Sequence, residues 1–571
     1  MAYARLPTTD REHAYPPSSP LAPSAWRWSR PGRLLLALLA AAMLVHYAML
    51  LISSASQPSP RRDWVLPASP SAPAPPESHG APYRDATPVA SAQAFLALAE
   101  AEISALGLDT CGDEIGRAMV RAAAARRMVY CAADNSSSSE EVAAGDPGAA
   151  ERLAAAAVRT AHIECMPMRG IGPPRAEGVD PTLGATPPWW PITSTVCVSR
   201  NLRPVARINQ RNFLARCGVT PLGERLRLAA AETFVGRAIV AEDGERCARV
   251  LPHTVMFVQR MDQWNPFHVA EDLITTFLSM LVAGEAVPEL RHHRIQMAFL
   301  DNFGLDSNRF DGVWERVGAL PPRRTRHEPF DDGVCLNAAI HGMYGRTSLL
   351  SASGTTKTYA CASAVTWAAA LYYRHLFGLS PPTTTPRPNI NILYVSRARL
   401  RRHFNDDVGA WQEYRELSNE SEMLVRWRAG LHEMCGDTCE FVDANVHPEV
   451  WAQNRTEGKR QIRFATIDPV GYSLETQIQL AGHATLLVGQ HGGALGLSLF
   501  MPPGRGAVLE FTVPMVKGNQ HFQHMAVQLG HMHQQRVIHS KIDVERAWSD
   551  LREVVEDILL SEAPKPVQQD E

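Results

Sequence analysis

One stretch limits the options before any motif is considered: Leu34–Ile52 (LLLALLAAAMLVHYAMLLI), broken only by His46 and Tyr47. At about 1.5 Å per residue, a helix over these 19 residues reaches roughly 28 Å, close to a hydrocarbon core of about 30 Å. Arg27, Arg30 and Arg33 precede the run directly, whereas the next basic residues after it are Arg61 and Arg62. That asymmetry leaves the N-terminus in the cytoplasm. A cleaved signal peptide has a shorter apolar region nearer its start. The run therefore reads as a single-pass, type II transmembrane signal-anchor at 34–52, with a cytoplasmic tail at 1–33 and a lumenal body.

The remainder fits a lumenal setting. All ten cysteines follow the run, and an oxidising lumen permits disulfides. Asn135-Ser-Ser, Asn419-Glu-Ser and Asn454-Arg-Thr are N-glycosylation candidates. Net charge is −3, so no basic field exists for non-specific nucleic-acid binding. Residues 53–90 are dense in Pro, Ser and Ala, too poor in apolar side chains to bury a core, and read as a stem. An Ala-rich, partly helical region of unknown role follows at 91–194, and a short disordered tail is expected at 561–571.

From about 195 apolar runs of strand length alternate with helical patterns. Thr254–Gln259, Ile295–Leu300, Ile390–Val395, Ala484–Gly489 and Ala507–Phe511 are candidate buried strands, and Val269–Ala283 a helix. The alternation predicts α/β layers with largely parallel sheets. Ser380–Asn389 (SPPTTTPRPN) is a Pro/Thr linker dividing an N-terminal half, 195–387, from a C-terminal half, 388–560. Val544, Trp548, Leu551, Val555 and Ile558 recur at helical spacing after Asp543, a possible N-cap.

Chemistry concentrates in Leu486–Phe511 (LLVGQHGGALGLSLFMPPGRGAVLEF). A strand runs into Gln490-His491-Gly492-Gly493, a short helix follows, and a second strand reaches Glu510. Glycines let backbone approach a ligand, and a helix start offers free N–H groups to a diphosphate. Glu510, at a strand end, could hold sugar or ribose hydroxyls. The same segment also fits an ordinary glycine-rich strand–helix turn. In Asn265-Pro-Phe-His268-Val-Ala-Glu-Asp272, His268 and Asp272 stand at i and i+4 and share a helix face, a usual general-base arrangement. The structural alternative is a helix start, with Asn265 as cap and Pro266 in the first turn. Arg397 ends the strand INILYVSR, where a guanidinium can grip phosphate.

Two clusters suit structural roles better than metal binding. His521, His524, His531, His533 and His539 lack the carboxylate spacing of a zinc hydrolase and do not read as a zinc site. Cys435 and Cys439 suit a disulfide in a lumenal protein.

These segments, in this order, resemble glycosyltransferase family 61, which includes plant core β-1,2-xylosyltransferases and EGF-domain-specific O-linked N-acetylglucosamine transferases. The matching positions are Asn265, His268 and Asp272; Val334-Cys335-Leu336 with 338–342; Cys361; Ser396-Arg397; and Gly489-Gln490-His491-Gly492-Gly493-Ala494-Leu495 leading to Glu510. The resemblance spans roughly 250–560. It departs where Gly493 and Ala494 exchange the usual order, and where Leu497 replaces a frequent polar residue.

The resemblance implies a GT-B-like α/β fold, two Rossmann-like domains facing a cleft, behind the transmembrane helix and stem. It implies an inverting transfer from a UDP-sugar, with UDP-xylose the favoured donor, to a glycoprotein glycan or protein hydroxyl in the Golgi or ER. His268 and Asp272 would be catalytic, and Arg397, His491, Gly492, Gly493 and Glu510 would bind the donor. No cofactor or metal is expected, since the chain holds no Asp-x-Asp pair. Cys335–Cys361 is a disulfide candidate because the family has a cysteine near each place. Within the family the alternatives are O-linked N-acetylglucosamine or cell-wall pentosyl transfer; outside it, a catalytically inactive membrane-anchored lectin or scaffold.

Overall fold

A computed structural model describes residues 87–111, 115–132 and 162–168, four pieces between 195 and 240, and most of 249–561. The expected tail and anchor at 1–52, the stem up to residue 86, Asn135, Asn454, most of the Pro/Thr linker and residues 562–571 lie outside the described residues.

Two sheets carry the fold. The first is built from β1 (Met128–Ala132), β2 (His162–Pro167), β3 (Thr195–Pro204), β4 (Phe213–Ala215), β5 (Gly218–Val219), β6 (Ala238–Val240), β7 (Arg249–Val258), β8 (Ile295–Phe299), β9 (Leu320–Arg324) and β10 (Val334–His341). Its path is β5-β1-β2-β3-β10-β7-β8-β9, with β4 and β6 attached beside β3. The strands β10, β7, β8 and β9 pair in parallel, while β1, β2 and β3 extend the sheet antiparallel. The second sheet is wholly parallel: β11 (Asn389–Val395), β12 (Cys439–Asp443), β13 (Arg460–Ile467), β14 (Leu486–Gln490), β15 (Ala507–Thr512) and β16 (Met532–Val537), in the order β12-β13-β11-β14-β15-β16. The helices are α1 (Pro88–Ala105), α2 (Arg117–Ala125), α3 (Pro266–Ala286), α4 (Asp311–Val317), α5 (Ala364–Leu376), α6 (Glu420–Cys435), α7 (Leu474–His483), α8 (His521–Gln528) and α9 (Val544–Ser561).

The chain is thus α/β with two sheets carrying parallel strands, and each of the five strands read from the sequence is present within a few residues. The first half departs from a purely Rossmann-like sheet because of its antiparallel extension. In the second sheet, alternation along each strand assigns the faces. Ile390, Ile392 and Tyr394 pack with Ile462, Phe464, Leu486 and Val488 under α6 and α9. Leu393, Val395, Ala465, Ile467 and Leu487 turn to the opposite core, which they share with α1, α3, α5 and α7. Both faces are covered, as a parallel sheet requires.

The stem and the Ala-rich region need correction. Helix α1 begins at Pro88, inside the expected stem, with the Thr87 side chain capping the amide of Ala90. The described residues of 91–194 pack into the rest of the chain. Val89, Ala92, Phe95, Leu96, Ala99 and Ile103 belong to the shared core, and β1 and β2 join the first sheet. Glu102 accepts a hydrogen bond from the Trp367 indole (2.9 Å), and Ser363 Oγ donates to the Ile115 carbonyl (2.8 Å).

Cys435–Cys439 is a disulfide, as the sequence suggested. Cys361 instead pairs with Cys111, across 250 residues, and Cys335 is disulfide-bonded elsewhere. Spacing within the C-terminal region could not reveal a partner on the helical segment. Asn419 is also corrected as a glycan site. It is 7% exposed, its Nδ2 donates to the Ile542 carbonyl (3.0 Å) and its Oδ1 accepts the Ile542 amide (3.0 Å). The nitrogen that would carry a glycan is buried and occupied.

Helix α3 is long and apolar enough to cross a bilayer, but its most apolar window is 94% buried inside the protein, so it is a core helix. Its first turn crosses the 3-10 helix Gly493–Phe500 so closely that a Cβ on Gly496 would stand 2.6 Å from the Phe267 backbone. Neither partner is a flexible side chain. Gly496→Ala should therefore destabilise by about 1–3 kcal/mol through overpacking, read as a lower urea midpoint with unchanged slope.

Candidate functional site at the junction of the two sheets

In an open parallel sheet, ligands bind beyond the carboxyl ends of the strands where the strand order reverses. In the second sheet that place lies between β11 and β14, which pair in parallel with Val395 opposite Gly489. Arg397 stands two residues beyond the end of β11 and His491 one beyond the end of β14, at the carboxyl ends flanking the switch point. Burial lowers the Arg397 pKa, opposed by Glu416 and Tyr394. Its Nε is buried without a hydrogen-bond partner, as is Oε1 of Gln490. Gln490 Nε2 donates to the Tyr394 hydroxyl (3.3 Å).

His491 Nδ1 is hydrogen-bonded to Oε1 of Glu510, and His533 Nε2 lies 2.9 Å from Oε2 of the same carboxylate. Glu510 is 0% exposed. Burial pushes its pKa up, but the hydrogen bonds from His491 and His533 outweigh it and hold the carboxyl below its ordinary value. Glu510 is thus buried with its two oxygens on His491 and His533. On β16, His533 lies opposite Val508 and its side chain reaches diagonally to Glu510, a contact that the histidine run in the sequence does not reveal.

The opposing turn follows β7. Asn265 caps α3, its Oδ1 accepting the Phe267 amide (3.0 Å), with Pro266 in the first turn. His268 and Asp272 do not pair. Both oxygens of Asp272 accept the Met261 amide (3.0 Å each), and Gly345 packs on this carboxylate so closely that a Cβ there would stand 1.7 Å from Oδ1. Burial first, then Glu271, raises its pKa well above the ordinary value. Asp272 fixes the turn between β7 and α3 and faces no solvent. The partner of His268 is Glu271, Nδ1 to Oε2 at 2.8 Å. Ser348 Oγ donates to the other oxygen of Glu271 (3.1 Å). The His268 side chain is 26% exposed against 2% for Glu271, so the imidazole is the member that can meet an acceptor.

Gly493 and Gly496 both lie against the first turn of α3. A Cβ on Gly493 would stand 2.0 Å from Asn265 Oδ1. Gly492 caps the 3-10 helix in an extended conformation. Leu497, 1% exposed, lies in the core.

Aromatic contacts join the two turns. The Phe267 ring packs edge-on with His268 (5.8 Å between centroids) and Phe522 (5.1 Å), and tilted against His521 (5.1 Å). Phe522 in turn meets His491 edge-on at 5.1 Å. His521 thus sits among His491, His268 and His524. Burial, followed by those three neighbours, lowers its pKa to about 4. In the sequence His521 stands out only as one of a histidine run. The rest of the run disperses: His524 is buried with both ring nitrogens unpartnered, His531 Nδ1 accepts the Gly506 amide (3.2 Å), and His539 is exposed. Among the described residues no three His, Cys, Asp or Glu side chains gather as metal ligands.

The profile of the Glycosyltransferase 61 family matches residues 211–508, a little over half of the chain. The chain belongs to glycosyltransferase family 61. The match covers His268, Glu271, Arg397 and His491 but stops before Glu510, His521 and His533. Among solved structures the chain is similar to a family 9 glycosyl transferase from Veillonella parvula DSM 2008, with 12% identity, 56% of this chain and 98% of that chain covered, and a TM-score of 0.23. No curated protein sequence matches it.

His521 gives a test of the cluster. The unfolded imidazole takes up a proton near 6.5 and the folded one only near 4. Stability is therefore intact above pH 6.5 and falls as the pH drops from 6.5 towards 4. The variant H521Q should show a shallower fall across that window in urea midpoints measured against pH.

Proposed function

We propose that this glycosyltransferase moves a sugar from a UDP-sugar, with inversion, to a hydroxyl of a glycoprotein glycan or protein in the secretory pathway. The observation that carries the reading is the meeting of two imidazole–carboxylate pairs, His268–Glu271 and His491–Glu510, across the Phe267–Phe522 contact. Their roles differ by position. His268 Nε2 takes the proton of the acceptor hydroxyl, while Glu271, steadied by Ser348, fixes the ring and stabilises the charge it gains. The acceptor oxygen forms its bond to the anomeric carbon as the bond to the β-phosphate oxygen breaks, and that electron pair leaves with UDP. Arg397 and the Nε2 side of His491, at the switch point, are placed to meet the negative charge developing there.

Several further features support the finer reading. The absence of an Asp-x-Asp pair favours a reaction without a divalent cation. The lead-in to His268 and the segment HFQHMAVQLG are closer to the xylosyltransferase branch, which favours UDP-xylose over UDP-N-acetylglucosamine or another pentose donor. The apolar run at 34–52 supports a single-pass type II anchor, and its 19 residues suit the thinner membranes of the early secretory pathway. A lectin or scaffold that only kept the fold would have no need of two oriented imidazoles.

The lumenal portion, supplied with a panel of UDP-sugars in the presence of a chelator, should hydrolyse one of them slowly, with UDP-xylose first; turnover of none would remove the transferase reading. With that donor, His268→Ala should lower kcat by about 10²–10⁴-fold, and Glu271→Gln should lower it without raising the donor KM. Asp272→Asn should act on stability instead. An Asp272 variant that stays folded yet loses activity as His268→Ala does would reverse the assignment.

A further inference from the structure

The first sheet carries a feature that the transfer site does not use. Residues 253, 255 and 257 of β7 share one face. There His253 Nε2 donates to Gln296 Oε1 on β8 (3.2 Å), and Gln296 Nε2 donates to the Pro321 carbonyl on β9 (3.0 Å). A bulge between Gln296 and Ala298 shifts the β8–β9 register, and Arg323 follows on β9. With the turn His292–Arg294 and the apolar side chains of Leu251, Pro252 and Leu320, these residues line a groove of about 470 Å³.

Its charge is one-sided, for no acidic side chain among the described residues lines it. Arg294 spends one N–H on the Ala319 carbonyl (3.0 Å). Arg323 spends one on the Pro329 carbonyl (2.8 Å) and lies over the Phe330 ring (4.6 Å to its centroid). Among the described residues neither guanidinium has a carboxylate partner. Glu289, on the neighbouring 3-10 turn, is occupied by Arg200 (2.6 Å). Burial, then the charges of Arg294 and Arg323, lower the His253 pKa, which places both guanidiniums within electrostatic reach of that ring. Unspent guanidinium N–H groups above an apolar floor match an oxyanion attached to a ring with one apolar face.

We propose that this groove binds an acidic saccharide, with its sulfate, phosphate or carboxylate on Arg294 and Arg323 and its ring against Leu251, Pro252 and Leu320. The saccharide carrier rests on the proposed function; the oxyanion rests on the groove alone. Val258, where β7 ends before the transfer site, is five residues beyond His253, or about 17 Å at roughly 3.3 Å per residue. The groove is thus a remote anchor for an acceptor or product chain and no part of the donor site.

Calorimetric titration of the lumenal portion at low salt tests this with four probes: a sulfated, uronate-bearing tetrasaccharide, a neutral tetrasaccharide, inorganic sulfate and inorganic phosphate. The acidic tetrasaccharide should bind and the neutral one should not. Arg294→Ala, an exposed position whose loss leaves the sheet intact, should weaken binding about tenfold, and R323Q further, with UDP-sugar hydrolysis unchanged in both. Unaltered affinity in Arg294→Ala, or equal binding of the neutral tetrasaccharide, overturns the proposal. Inorganic sulfate or phosphate binding as tightly as the tetrasaccharide overturns the saccharide carrier. Absence of UDP-sugar hydrolysis in the unaltered protein would strike the proposed function and leave the oxyanion result standing.

Discussion

The contact between the first turn of α3 and the 3-10 helix Gly493–Phe500 sets the geometry of everything around it. Main chain meets main chain at Gly496, against Pro266 and Phe267, while the side chains of Asn265 and Pro266 lie on Gly493. Close-packed interiors transmit displacement instead of absorbing it. His268 follows Phe267 directly, and His491 precedes Gly493 by two residues. The two imidazoles are therefore positioned by the same few atoms, and the Phe267 ring closes the arrangement against His521 and Phe522.

Three buried carboxylates near this contact show how environment separates roles. Asp272 has only the Met261 amide and a wall of burial, so its charged form is disfavoured. Glu510 is as buried, yet two imidazoles favour its charged form. Glu271 is held from both sides, by Ser348 and by His268. Only the last two are joined to an imidazole. A titratable residue in a matching motif is thus not by itself a catalytic one; its hydrogen-bond partner decides.

Much of this was legible in the sequence. The runs Ile390–Val395, Ala484–Gly489 and Ala507–Phe511 are continuous apolar strands, and a parallel sheet buried on both faces has that appearance. Asn265-Pro266 announced the start of α3, and the helical spacing of Trp548, Leu551, Val555 and Ile558 announced α9. What failed was pairing. Helical spacing placed His268 with Asp272 at i+4, whereas the ring turned to Glu271 at i+3 because Asp272 was drawn inward to the Met261 amide. Glycines at 492 and 493 suggested a ligand, but glycine records close approach without saying of what. The antiparallel strands between 128 and 204 were missed because short, isolated strands acquire their identity from the sheet they join.

The Cys111–Cys361 bond has a temporal side. Its halves stand 250 residues apart, and synthesis proceeds at about 5–20 residues per second, so Cys111 waits on the order of 10–50 s before its partner exists. Over that interval Cys165 and Cys197, only 32 residues apart, have already been made and can close first. The helical segment containing α1 must therefore stay uncommitted, its apolar face without the α5 surface it will cover, until the chain has nearly reached the second sheet. Order of manufacture, as much as packing, dictates that the strands of the first sheet are all made before the earliest helix is fastened down.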